Sequence, residues 1–224
     1  MTTIENNGLE VTILTIDQVL SVSVYNSLLK LVSDEKRCRI ARYRFTKDAQ
    51  TALLADVLAR YEICKRTGLS NWELLFSANE YGKPFLANDP HVHYNLSHSG
   101  KYIAFAVDEI PVGIDVEQIK PIDMRIAERF FTADEILYIT SQSEEMKTIA
   151  FYRVWTKKES RIKLEGKGLS IPLSSFSVMD NPIQMYRYHN MLENRDDAIC
   201  YACTTSIEMP SYNILNTTKF LNYL

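Results

Sequence analysis

No stretch of this chain approaches the roughly eighteen consecutive apolar residues that a membrane-spanning helix requires. The opening residues, Met1-Thr2-Thr3-Ile4-Glu5-Asn6-Asn7, lack the basic segment followed by an apolar one that marks an export signal, so the expected location is the cytosol. Positive charge is not in excess either. With 25 Lys and Arg against 28 Asp and Glu, the net charge of −3 excludes a globally basic nucleic-acid binder and confines any anion binding to local patches. Cysteine is scarce, at four residues. Cys200 and Cys203 form a Cys-x-x-Cys pair, but they sit in the apolar, strand-like run Ala198-Ile199-Cys200-Tyr201-Ala202-Cys203-Thr204, which favours buried structural thiols over a redox or metal site. No Gly-x-Ser-x-Gly elbow is present, and the adjacent Ser97 and His98 point apart on an extended chain, so a serine hydrolase is not supported. Nothing rich in Pro or Ser marks a linker near residue 110, and no sequence repeat relates the two halves.

A chain of 224 residues suffices for one large domain or two small ones. Residues 9–16 alternate as an opening strand, and Asp17 is placed to cap a helix carrying Val19, Leu20, Leu28, Leu29 and Val32. Ser33 starts a second helix bearing Lys36, Arg37, Arg39, Arg42 and Arg44, a cation run that by itself reads as a solvated face. Residues 48–67 carry the apolar stripe Leu53, Leu54, Val57, Leu58, Tyr61 and Cys64, closed by Gly68. Residues 72–77 read as a strand, followed by the rigid turn Glu80-Tyr81-Gly82-Lys83-Pro84. The continuous apolar run of residues 102–107 reads as a central strand. Thr132-Ala133-Asp134-Glu135 matches a capping box, and residues 144–165, free of Gly and Pro, read as a long helix. Residues 176–179, 184–188 and 198–203 read as closing strands. The sum is an α+β chain.

Two stretches carry chemistry. On the long helix Glu159 and Lys163, four apart, share a face. In Gly113-Ile114-Asp115-Val116-Glu117, read as a strand, Asp115 and Glu117 project from one side. Two acids on one strand face repel unless something positive lies between them. A hard divalent cation such as Mg²⁺ takes oxygen ligands, and Asp115, Glu117 and Glu159 supply a candidate set.

Those residues also carry a resemblance. Trp155-x-x-Lys158-Glu159-Ser160-x-x-Lys163 together with Gly113-Ile114-Asp115-Val116-Glu117 resembles the signature of the 4'-phosphopantetheinyl transferases, of the monomeric surfactin-synthetase-activating (Sfp) type. The likeness spans residues 33–173 and takes in Glu80-Tyr81-Gly82-Lys83-Pro84, Tyr94-Asn95-Leu96-Ser97-His98-Ser99-Gly100 and Glu165-Gly166-Lys167-Gly168-Leu169. Five short patterns in the right order are specific where each alone is weak.

The resemblance implies two similar lobes about a pseudo-twofold axis, residues 1–110 and 111–224, each a small, mostly antiparallel sheet packed with helices, with the active site between them. It implies transfer of 4'-phosphopantetheine from coenzyme A to a serine of an apo carrier protein, peptidyl, acyl or aryl, releasing adenosine 3',5'-bisphosphate. In that reading Asp115, Glu117 and Glu159 hold Mg²⁺, Lys163 with help from Lys158 reaches a phosphate oxygen, and Glu159 takes the serine proton. Lys36 and Arg39 hold the 3'-phosphate of coenzyme A, Arg39 standing where Lys is common. Tyr81, Gly82, Lys83 and Pro84 lie against the nucleotide with Lys83 near its phosphates, and Ser97 and His98 meet a phosphate oxygen. The carrier docks on residues 166–188. The chain departs from the family at Gln50, Thr51 and Ala52, where an arginine for the nucleotide is common. Two other readings use the same acids: a metal-dependent phosphodiesterase acting on coenzyme A, and an inactive regulator that binds coenzyme A or the carrier.

Overall fold

The alternation in the first strand sends Val11 and Ile13 to one side and Thr12 and Leu14 to the other, so both faces of the sheet it joins are covered. In the computed structural model, which describes residues 8–179, 186–192 and 197–224, this strand is β1 (Glu10–Thr15). There follow α1 (Val22–Leu29), α2 (Asp34–Ile40), α3 (Thr46–Thr67), a hairpin of β2 (Phe76–Ala78) and β3 (Pro84–Leu86), then β4 (His93–Ser99) and β5 (Tyr102–Asp108). The plan then repeats: β6 (Val112–Gln118), α4 (Arg125–Phe130), α5 (Ala133–Thr140), α6 (Glu144–Glu165), β7 (Arg187–Asn190) and β8 (Ala198–Thr204). Both long helices, α3 and α6, have 22 residues. β5 lies between β4 and β1, antiparallel to both, and β8 lies between β7 and β6, antiparallel to both. The protein is α+β with two lobes of like order, although their sequences share no repeat.

Three cores stack these elements in four layers. Between the sheets, Val11, Ile13, Ala104, Ile114, Cys200 and Ala202 meet face to face. On the outer side of the first sheet α3 packs Leu53, Leu54 and Leu58 against Phe105 and Val107. On the outer side of the second, α6 packs Phe151 and Val154 with Phe131, Ile199 and Tyr201. Since Val112, Ile114 and Val116 fill the core between the sheets, Gly113, Asp115 and Glu117 must point the other way, toward α6.

Gly113 makes that contact possible. A Cβ there would lie 1.9 Å from the Ser160 carbonyl oxygen and 2.4 Å from the Leu164 nitrogen, so α6 crosses β6 backbone to backbone. Only glycine leaves room for this crossing, which brings Glu159 and Lys163 down beside Asp115.

Several expectations are corrected. Asp17 does not cap α1: Ser21 does, accepting from Val24, while Asp17 accepts from the backbone N–H of Thr217 at 3.3 Å and Val19 is left exposed. Residues 72–77 are not one strand, because the Ser70–Glu73 capping box winds Asn71–Glu73 into a 3₁₀ turn and β2 begins only at Phe76. Residues 176–179 form no strand; the Val178 N–H is taken by the Glu135 carboxylate at 2.8 Å instead of by a sheet. Of the strand expected at 184–188, residues 184 and 185 lie outside the described residues and β7 begins at Arg187. Residues 211–224, assigned by sequence to the second lobe, return to the first: β9 (Ser211–Asn216) pairs in parallel with β1, and α7 (Thr217–Leu221) sets Phe220 against Tyr61 of α3. Cys200 and Cys203 are buried free thiols, and an odd spacing on β8 sends them to opposite faces. Among the described residues no helix is long and apolar enough to cross a membrane.

Substituting Gly113→Ala will therefore lower the stability to unfolding by about 1–3 kcal/mol, the usual cost of overpacking, or more where backbone must move. A urea midpoint unchanged from the wild type would show that the helix does not cross there.

Candidate functional site

β6 is an edge strand of its sheet, and an edge leaves main-chain N–H groups without ladder partners. Here side chains from the other lobe take them. On β4, Tyr94 and Leu96 pack into the first core, so Asn95, Ser97 and Ser99 face β6. Asn95 Oδ1 accepts from the Ile114 N–H at 2.8 Å, and Ser99 Oγ accepts from the Gln118 N–H at 3.1 Å. The same row holds the acids. Ser97 Oγ donates to Asp115 Oδ1 at 2.8 Å, and Ser99 Oγ donates to Glu117 Oε2 at 2.7 Å.

The helix closes the other side. Trp155, Glu159 and Lys163 recur every fourth residue on α6 and so line one face. Lys163 Nζ stands 2.6 Å from Asp115 Oδ1 and 2.8 Å from Ser97 Oγ, and the Trp155 indole donates to Glu117. Burial pushes the Asp115 carboxyl above its ordinary range, against the opposing pull of Lys163 and Ser97. Glu117 is raised first by burial and then by the Asp115 charge, and Glu159 by burial followed by the charge of Asp115. Glu159 feels both other acids and Glu117 feels Asp115, while the one ammonium of Lys163 pulls on all three. Asp115 Oδ2 is buried without a hydrogen-bond partner.

An orphaned carboxylate oxygen, mutual repulsion and a set of hard oxygen donors fit the chemistry of a hard divalent cation. Among the described residues, however, no group of three or more His, Cys, Asp or Glu is already arranged to hold a metal ion. The convergence of the acids is electrostatic rather than a closed ligand cage.

The first lobe also supplies His98, Lys36 and Arg39. The His98 ring, alternating away from Ser97, has its pKa lowered by burial and then by Lys163 and Lys36. Lys36 also pairs with Asp56 at 3.3 Å, while Arg39, one helical turn along α2, is exposed. Tyr81 is exposed at the tip of the β2–β3 hairpin, between it and Pro84 lies Gly82 at a φ of 86°. Gln50, in the stretch of Gln50, Thr51 and Ala52 where the resemblance led to an expected arginine, is buried and bridges the Leu20 N–H and the Gln18 carbonyl, so it serves the loop before α1.

Two expected site residues are placed elsewhere. Lys158 is fully buried on a different side of α6 from Glu159, paired with Glu135 at 2.8 Å and donating to the carbonyls of Leu173 and Phe176. One residue along a helix turns about 100°, so neighbours cannot share a face. Lys158 fastens the segment after α6 and does not reach the site. Lys83 Nζ donates to the carbonyls of Leu164 at 3.0 Å and Val112 at 3.2 Å rather than facing open space. Asn95, Ser99 and Trp155 were not assigned roles from sequence, although their spacing of two from Ser97 and four from Glu159 holds the signal.

Comparison with known proteins bears directly on this site. The family profile described as the 4'-phosphopantetheinyl transferase superfamily matches residues 111–214, and that described as 4'-phosphopantetheinyl transferase, N-terminal, matches residues 21–110. The chain belongs to the 4'-phosphopantetheinyl transferase superfamily and is an enzyme of that class. It is 44% identical over 162 residues to the 4'-phosphopantetheinyl transferase ffp of Bacillus subtilis, covering 72% of each chain. It is 43% identical to the 4'-phosphopantetheinyl transferase Sfp of Bacillus subtilis (strain 168), again over 72% of each, and 41% identical to the 4'-phosphopantetheinyl transferase gsp of Aneurinibacillus migulanus, over 74% of this chain and 69% of that one. The Sfp-type resemblance carried by the motifs is thus borne out over most of the chain.

Because ionised Glu159 repels Asp115 and Glu117, its folded-state pKa is raised, and the destabilisation it causes is full above that pKa and relieved as pH falls toward the ordinary carboxylate range. In metal-free buffer Glu159→Gln should therefore stabilise the protein at about pH 7.5 and lose that advantage near about pH 5. A gain in melting temperature independent of pH would mean that the three acids do not share one field.

Proposed function

We propose that this enzyme transfers the 4'-phosphopantetheine arm of coenzyme A to a serine hydroxyl of an apo carrier protein, releasing adenosine 3',5'-bisphosphate. The observation that carries the reading is the seam itself: Asp115, Glu117, Glu159 and Lys163 gathered from two elements of one lobe and fixed by Ser97 and Ser99 of the other. In the reaction the serine Oγ attacks the phosphorus that bears the pantetheine arm. One P–O bond forms, the P–O bond to the bridging pyrophosphate oxygen breaks, and the nucleotide leaves with the bond electrons.

Glu159 takes the serine proton, directly or through one water. Its raised pKa, set by burial and by Asp115, makes it a better base near neutral pH than an ordinary carboxylate. Lys163 lies within one helical turn of Glu159 and moves part of its charge from Asp115 to a phosphate oxygen as negative charge develops there. Asp115, Glu117 and Glu159 are the residues that would hold Mg²⁺, which when bound supplies charge neutralisation for the pyrophosphate. Lys36 and Arg39 form the cationic flank that suits the 3'-phosphate, His98 donates to a phosphate oxygen, and Tyr81, Gly82 and Pro84 form the wall for the nucleotide. The proposed carrier surface, residues 166–188, is anchored by the buried Leu173 and Val178; residues 180–185 of it lie outside the described residues. The enzyme acts as a monomer serving the carrier domains of nonribosomal peptide or related synthases.

Mass spectrometry of an apo peptidyl carrier incubated with the protein, coenzyme A and Mg²⁺ tests the reading. The carrier should gain the mass of phosphopantetheine, and Glu159→Gln or Asp115→Asn should slow the gain by about a hundredfold or more while the variants stay folded. Coenzyme A cleaved with no carrier labelled would mark a phosphodiesterase instead, and binding without product a regulator.

A further inference from the structure

The contact that fixes α6 against β6 is held from outside by the β2–β3 hairpin of the other lobe. Lys83 Nζ joins the carbonyl of Leu164, in the last turn of α6, to the carbonyl of Val112, at the start of β6. Asn79 Nδ2 donates to the carbonyl of Gly166, the residue that caps α6 in the left-handed conformation at a φ of 67°. The last four carbonyls of any helix lack intrahelical partners, and here two of them are taken by one hairpin. The hairpin is itself locked by Asn79, whose Oδ1 accepts from the N–H groups of Tyr81 at 3.0 Å and Lys83 at 2.8 Å. The fit is close: a Cβ on Gly166 would come within 2.8 Å of Lys83 Cδ.

We infer that Asn79 and Lys83 are positioning residues for the transfer reaction, acting through the end of α6 and not by touching a phosphate. The geometry separates this role from a ligand role. Lys83 is largely enclosed, has no carboxylate partner among the described residues, and spends two of its donors on main chain. Leu164 is the neighbour of Lys163, and Val112 lies three residues before Asp115, so one ammonium staples together the two backbones that deliver the 2.6 Å Lys163–Asp115 contact. Burial without a counter-charge depresses its pKa to about 8, yet a neutral amine still has donors for both carbonyls, so the clasp does not depend on protonation. If the hairpin also carries the nucleotide wall, the same two residues couple that wall to the catalytic helix.

The test is kinetic and structural, on the full chain. Lys83→Met keeps the stem and removes the donor; Asn79→Ala is the milder variant should Lys83→Met fold poorly. Phosphopantetheine transfer should lose about tenfold or more in kcat, since small misplacements of reacting groups are costly, with KM for coenzyme A changed less than about threefold. Lys83→Arg, which can span both carbonyls, should recover part of kcat. Amide exchange should quicken at residues 162–166 in either variant and stay slow in the first turns of α6. A rise in KM for coenzyme A that grows at low salt, with kcat and exchange unchanged, would overturn the inference and return Lys83 to the phosphates. The exchange readout needs no substrate, so it fails or holds independently of the proposed reaction.

Discussion

An edge strand in the middle of a protein needs partners for its outward N–H groups, and the way β6 obtains them determines most of this structure. Asn95 and Ser99 satisfy the edge at Ile114 and Gln118, and Ser97 and Ser99 hold the carboxylates of Asp115 and Glu117. Side chains of one sheet thus complete the hydrogen bonding of another. The register between the lobes is set at the same atoms that set the orientation of the acids. A slip of one residue on β4 would put Leu96 and His98 against β6 and leave the edge and both acids unpartnered.

The cost of this arrangement is electrostatic. Three carboxylates raised by burial, two of them also by a neighbouring acid, share one lysine, and Asp115 Oδ2 is buried without a hydrogen-bond partner. An isolated buried carboxylate is expensive, so such a group persists only where the surroundings are rigid enough to hold it. The rigidity is visible: α6 rests on Gly113 with no side chain between, the Asn79–Lys83 hairpin grips the end of the helix, and β9 with α7 brings the chain's last elements back onto β1. Local conflict held in place by a consistent fold is the mark of a functional site.

What could be read from the sequence follows from which signals are local. The helix at 144–165 and the strand with Asp115 and Glu117 came through because freedom from Gly and Pro, helical period and alternation are properties of short windows. The shared face of Glu159 and Lys163 is fixed by spacing alone. Lys158 was misplaced because adjacency in sequence says nothing about which side of a helix meets the core; here Glu135 and two carbonyls hold it away from the acids. Lys83 resembles a phosphate ligand by motif, but its partners are carbonyls supplied by residues 29 and 81 positions away, which no window reveals. β9 escaped notice since its pairing with β1 is set by the far end of the chain. The family motifs name residues; which of them meet is a matter of the three-dimensional packing.

The claim that the row of side chains on β4 holds the edge of β6 is tested most directly by native-state hydrogen exchange at the Ile114 and Gln118 amides. Both face away from β8 and would exchange rapidly on an open edge. Protection comparable to that of the ladder-bonded amides of the same strand is the predicted result. Exchange of both at the rate of a solvent-exposed edge, in an otherwise protected sheet, would contradict the account.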